Sequence, residues 1–176
     1  GLSADTEIAS YNQDARMFVE REPDQQYDLI MGDAFNDFSV PYHLTTLEFN
    51  ERVHAWLAPN GMYIVNIIDG GRGHFLRAYV RTMQHTFSHV YMAPTIEDWQ
   101  TSVRSTFVII GTDQMLDREM LQTIDAGDGH AQLAQQLVSQ AELDALIQEG
   151  QQVLLTDRYA PVDQMLAAVF LDRAPK

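Results

Sequence analysis

The chain has 176 residues and no cysteine, and its 25 acidic side chains against 11 basic ones leave a formal net charge of -14. That balance argues against a nucleic-acid backbone as partner, since phosphate binding takes clustered Lys and Arg. It suits a cationic substrate, whose encounter a negative field speeds. Without cysteine there is no disulfide framework or thiolate metal site. No apolar run approaches the roughly 18 residues of a membrane span, and no basic cluster precedes an apolar stretch at the N-terminus. A cytoplasmic location is the expectation.

In chain order, Glu7 to Asn12 reads as a short strand and Ala15 to Glu22 as a helix, with Pro23 beyond its end. Tyr27 to Met31 (YDLIM) is a compact apolar run leading into Gly32-Asp33, the pattern of a buried parallel strand. Leu47, Val53, Trp56 and Leu57 recur at helical spacing and predict a helix over 46–57, stopped by Pro59-Asn60-Gly61. Met62 to Ile68 (MYIVNII) is the clearest buried strand. The loop 69–73 leads into a helix over 74–87, and strands are expected at 90–93 and 105–111. Helices are predicted over 116–124 and 131–147, separated by a Gly127-Asp128-Gly129 turn, before Asp157-Arg158-Tyr159-Ala160-Pro161-Val162-Asp163 and a short apolar tail.

Alternating strands and helices imply an α/β domain, a mostly parallel sheet with helices on both faces. The runs near residues 90 and 107, joined without a clear helix, imply an antiparallel hairpin at one edge. Residues 1–113 are assigned to this domain, and 114–176 to a helical extension packed on it.

In open α/β sheets the ligand lies beyond the carboxyl ends of the strands. Asp14 and Asp33 fall at such ends. Asp14 stands directly before a helix, where capping and ligand binding are both open to it. Asp33 precedes a long loop and is poorly placed as a cap, which favours a functional role. That loop carries Phe35, Asn36, Asp37, Ser39, Tyr42 and His43. A carboxylate there could deprotonate an ammonium group so that the free amine attacks an electrophilic carbon. Asn36 and Asp37, with Tyr42, are the candidates for holding the amine. His43, beside Pro41-Tyr42, reads as a packing or hydrogen-bonding residue. The other histidines show no ligand spacing, so no metal site is expected. Arg72 and His74 read as residues of a solvent loop, although an anion could meet them.

Tyr27-Asp28-Leu29-Ile30-Met31-Gly32-Asp33, followed by Leu44-Thr45-Thr46-Leu47-Glu48-Phe49 and Leu57-Ala58-Pro59-Asn60-Gly61, resembles the spermidine synthases, the polyamine aminopropyltransferases. Asn12-Gln13-Asp14-Ala15-Arg16 and the 155–163 segment fit the same group, and the likeness covers roughly residues 7–110 and 154–170. The resemblance implies a Rossmann-like methyltransferase fold. It implies transfer of an aminopropyl group from decarboxylated S-adenosylmethionine to an amine, without a metal. Asp33 is then the base, and Asp14 with Ala15 meets the adenine end of the donor. A methyltransferase using S-adenosylmethionine and a non-catalytic binding domain of the same fold are the alternatives.

Where the family has a second aspartate, this chain has Asn36, a weaker partner for an ammonium group. The family's first strand, its glycine-rich turn and its ribose-binding acid are missing. None of Gly32, Gly61, Gly70 or Gly71 reads as standing in a strand–glycine loop–helix context that could replace them. The expectation is a domain truncated at its N-terminus and inactive or weak alone. It either pairs with a copy of itself through exposed strand edges or belongs to a larger protein. Some relatives are fused to membrane transporters, so membrane segments in a parent protein remain open.

Overall fold

The computed structural model describes residues 8–34, 40–128 and 133–171. In chain order the elements are α1 (Ala15–Val19), β1 (Tyr27–Gly32), a 3-10 turn (Tyr42–Leu44), α2 (Leu47–Ala55), β2 (Leu57–Asp69) and α3 (His74–Gln84). They continue with β3 (His89–Pro94), β4 (Ser105–Thr112), α4 (Arg118–Asp128), α5 (Leu133–Gln136), α6 (Gln140–Gln148) and α7 (Val162–Leu171). The four strands form one sheet in the order β1-β2-β4-β3. β1 and β2 run parallel, whereas β4 is antiparallel to both β2 and β3. The expected edge hairpin is therefore present. The sheet is mixed, because β4 inserts between β2 and β3 and contributes two antiparallel ladders against the single parallel one.

Side-chain alternation sorts the sheet into two unlike faces. Tyr63, Val65 and Ile67 of β2 share the buried face with Phe107 and Ile109 of β4 and with Val90 and Met92 of β3. Against them packs α3, which buries Phe75, Leu76, Tyr79, Val80 and Met83 completely. At about 1.5–3 kcal/mol for each large apolar side chain buried, α3 contributes more to the core than any other helix. Leu143, Ile147, Leu155, Val162, Leu166 and Val169 join the same core, so the C-terminal segments pack on α3. The opposite face carries Met62, Ile64, Val108 and Ile110, which are half-buried, while Leu29 and Met31 of β1 are exposed. β1 is an edge, with no strand on its outer side among the described residues.

Four sequence expectations are corrected. Residues 8–12 form no strand: Ile8 and Tyr11 are exposed, and no neighbouring strand takes up their backbone groups among the described residues. Pro59-Asn60-Gly61 lies inside β2, where the register jumps from Tyr27↔Leu57 to Leu29↔Met62. The extra residues form a bulge, where a proline without an N–H is tolerated. The helix expected over 131–147 is two helices, because Ser139 and Glu142 form a capping box that opens α6. Gly127 and Asp128 belong to α4 and make no turn, while Gly129 lies outside the described residues. Among the described residues no helix is long and apolar enough to cross a membrane.

Candidate active-site cleft at the carboxyl ends of the strands

Asp33 leaves β1 directly after Gly32 and is exposed at the rim of the sheet. Gly32 pairs with Val65, so the next residues in each strand, Asp33 and Asn66, come side by side. Asn66 Nδ2 donates to Asp33 Oδ1 at 3.1 Å. This amide holds one carboxylate oxygen, and the other has no hydrogen-bond partner among the described residues. Asp33 caps no helix; the cap of α2 is Thr46, whose Oγ1 accepts from the Phe49 amide.

Asp14 caps α1, its Oδ1 accepting from the amides of Arg16 at 2.9 Å and Met17 at 3.1 Å. The Met17 bond, with those from Arg16 and the nearby His43, holds its carboxyl below the usual carboxylate range. Its second oxygen, Oδ2, lies 3.6 Å from His43 Nε2. One oxygen thus serves the helix while the other lies beside His43.

Ala15, the next residue, and Asp33 line one cavity of about 210 Å³. Its walls are Val19 of α1, Ile30, Met31 and Gly32 of β1, Leu44, and Phe49 and Val53 of α2, with Tyr63 and Val65 from β2. Tyr63 requires glycine at position 32: a Cβ there would stand 2.8 Å from its hydroxyl oxygen. Burial pushes the Tyr63 phenol far above its ordinary pKa, so it stays neutral. The cavity is smaller than the roughly 300–1,000 Å³ typical of small-molecule sites. A volume of this size leaves no room for a whole nucleoside sulfonium.

Tyr42 is half-exposed on the 3-10 turn, with its ring edge-on to His43, and is not among the residues lining this cavity. Asn36 and Asp37, with Phe35 and Ser39, lie outside the described residues.

The glycine-rich loop departs from its sequence reading. Gly70 to Gly73 do join a strand, β2, to a helix, α3. The helix N-terminus is nevertheless occupied by the chain's own carboxylate: Asp69, 1% exposed, accepts from Gly70 N at 2.7 Å and Leu76 N at 2.8 Å. An internal anion already sits where a phosphate would bind, so the loop cannot replace a nucleotide-binding turn. Burial raises the Asp69 pKa to about 6 against the opposing pull of these amides. Arg72 and His74 flank the loop and are exposed. Among the described residues no group of three His, Cys, Asp or Glu is arranged to hold a metal.

Sequence reasoning passed over Asn66, Arg16 and Asp157. Asn66 was visible as the one amide in the apolar run Met62 to Ile68. Arg16 and Asp157 are 141 positions apart, and nothing local announces their pairing.

A stretch of 88 residues, 49% of the chain, is 32% identical to a probable polyamine aminopropyl transferase of Bifidobacterium longum (strain NCC 2705), and covers 19% of that protein. The fold matches the crystal structure of a probable spermidine synthase from Corynebacterium glutamicum ATCC 13032 with a TM-score of 0.68 and 21% identity, over 85% of this chain and 54% of that one. The chain shares the fold of the spermidine synthase structures. A spermidine synthase in complex with the transition state analogue AdoDATO aligns with a TM-score of 0.53 and 12% identity, over 76% of this chain and 48% of its own. No family model matches the chain. The chain spans about half the length of these solved structures, and less of the curated relative.

Proposed function

We propose that the rim around Asp33 is the acceptor side of an aminopropyl-transfer site, and that the cavity beside Ala15 takes the adenine end of decarboxylated S-adenosylmethionine. The observation that carries this is the shared cavity: Asp33, exposed and oriented by Asn66, borders the same apolar hollow as the residue following Asp14. The hollow is of a size for a ring and not a whole nucleoside, and Asp14, whose next residue lines it, is the candidate partner for the adenine amino group.

In the transfer, the acceptor nitrogen attacks the propyl carbon attached to sulfur. The free oxygen of Asp33 first takes the ammonium proton that frees this nitrogen's lone pair; as the amine then attacks, the C–S bond breaks and its electron pair leaves with methylthioadenosine. The sulfonium loses its charge as the bond breaks, so the leaving group needs no acid. Asn36 and Asp37, with Tyr42 at the edge, would steady the cationic acceptor. Residues 114–176 act as an extension of the same domain, in a cytoplasmic setting. The unpaired edge of β1 favours association, with a second copy or with further chain of the same protein.

The test uses the protein at its natural length, incubated with decarboxylated S-adenosylmethionine and putrescine or a longer diamine, and follows release of methylthioadenosine. Asp33→Asn should lower kcat roughly 100-fold or more, the scale of a lost general base. Full activity in that variant removes Asp33 from the chemistry. Transfer of a methyl group from S-adenosylmethionine instead identifies a methyltransferase of the same fold. Binding without turnover of any amine identifies a non-catalytic domain.

A further inference from the structure

One guanidinium ties together the elements that wall the cavity. Arg16 Nη1 donates to the His43 carbonyl oxygen of the 3-10 turn at 2.8 Å, to Thr46 Oγ1 at the entrance of α2 at 3.2 Å, and to Asp157 Oδ1 at 2.8 Å. Its Nη2 donates to the other oxygen, Asp157 Oδ2, so the pair is bidentate, and its Nε reaches Glu20. Asp157 in turn accepts from Thr46 Oγ1 at 2.7 Å, while its own amide donates to Glu48 Oε2 at 2.9 Å. Two residues earlier the Leu155 carbonyl accepts from the Leu47 amide at 2.8 Å. The segment 155–157, distant in sequence, is thus seated on the first turn of α2 and holds Arg16 there.

The placement has a consequence for the cavity. Ala15 and Val19 of α1, Leu44 of the turn, and Phe49 and Val53 of α2 form its helical wall. Helix α1 has only five residues and buries none of them. A helix that short is not stable on its own; it is held by the Trp56 Nε1 bond to the Val19 carbonyl at one end and by Arg16 near the other. Bidentate, charge-assisted pairs are the geometrically specific kind. The Arg16 side chain is 17% exposed and that of Asp157 40%, so solvent screens the pair only in part.

The geometry points to Asp157 as a positioning residue: through Arg16 it fixes α1 against α2 and thereby sets the affinity of the cavity for the nucleoside end of the donor, leaving the rate of the chemical step unchanged. This rests on reading the cavity as the donor site. The clasp touches neither Asp33 nor Asn66, so its loss should loosen the donor pocket and spare the base.

Two measurements separate the parts. In the chain itself, Asp157→Asn should speed amide hydrogen exchange at Met17, Phe18 and Thr45 at least 10-fold and leave the α3 amides Val80 and Met83 unchanged. Equal rates in both proteins overturn the clasp. In the protein at natural length, Asp157→Asn should raise the KM for the sulfonium donor about 10-fold with kcat within about threefold, and Asp157→Glu should recover part of the loss. A fall in kcat at unchanged KM overturns the positioning role, since general loss of folded protein lowers the active fraction without changing donor affinity. If the unmodified protein transfers nothing from any donor, the functional reading falls, and the exchange comparison still decides the clasp.

Discussion

Asp69 offers a sharp energetic test of the fold, since its carboxyl is buried and has no lysine or arginine hydrogen-bonded to it. Its pKa rises from 3.8 to about 6, chiefly through burial. At 1.36 kcal/mol for each tenfold change in proton affinity, that rise corresponds to about 3 kcal/mol. The folded carboxyl is protonated already near pH 6, whereas the unfolded chain keeps it ionised down to about 4. Between these values the folded state binds more protons, so the group adds stability as pH falls from about 7 towards 4 and withdraws it as pH rises through 6. Asp69→Asn removes the titration. It also replaces one acceptor of the Gly70 and Leu76 amides by an NH2 group, a cost of about 1–3 kcal/mol. Urea denaturation at pH 4.5 should show Asp69→Asn clearly less stable than the unmodified chain. By pH 7.5 the gap should close by about 2 kcal/mol, since part of the full span already lies below pH 4.5. Other carboxylates titrate alike in both proteins and cancel in the difference. A gap that stays constant across this range refutes the account of Asp69 as a desolvated acid.

At Gly71 an added Cβ would overlap the Gln100 carbonyl, whose carbon lies 2.9 Å away, with Ser102 O at 3.1 Å. Gly71→Ala should therefore cost about 2 kcal/mol and lower Tm by about 4–8 °C, measured by circular dichroism; an unchanged Tm means that the 98–104 loop yields freely. Ser139→Ala removes the side-chain half of the box that opens α6, leaving the backbone amide of residue 139 as donor to Glu142. It should cost about 1 kcal/mol in urea denaturation, and no loss would mean that Leu143 and Ile147 alone hold the helix in place.

Most of the fold was legible because its signals are local. The apolar runs at Tyr27, Met62 and Phe107 became β1, β2 and β4 within a few residues, and the helical spacing around Val53 and Tyr79 became α2 and α3. What failed depended on partners. The Ile8 segment has strand-like composition, but a strand exists only through a neighbour's hydrogen bonds. The bulge at Pro59 is fixed by the register against Tyr27, which no window of sequence contains. The Leu133–Ile147 run shows helical periodicity throughout. It is broken by Ser139, whose side chain competes for the backbone, and by the Val138 amide, which donates to Met92 O on the edge of β3.

The three aspartates at strand or loop ends show how far spacing can assign a role. Asp14 stands next to its helix and caps it; Asp33 stands a long loop away and caps nothing. A rule of distance to the next helix separates these two correctly. Asp69 escapes the rule: Gly70 to Gly73 intervene before α3, yet the carboxylate reaches the Leu76 amide. The difference lies in the loop. Gly73 adopts φ 57°, a left-handed turn that glycine enters without strain, and it folds the chain back so that the strand end and the helix entrance meet. A glycine-rich connection of this kind leaves two outcomes open, amides free for a ligand's phosphate or amides satisfied from within. An acidic residue at the strand's last position decides for the second. Asp33, by contrast, is exposed at the rim of the sheet and caps no described helix, as its proposed role as a base requires.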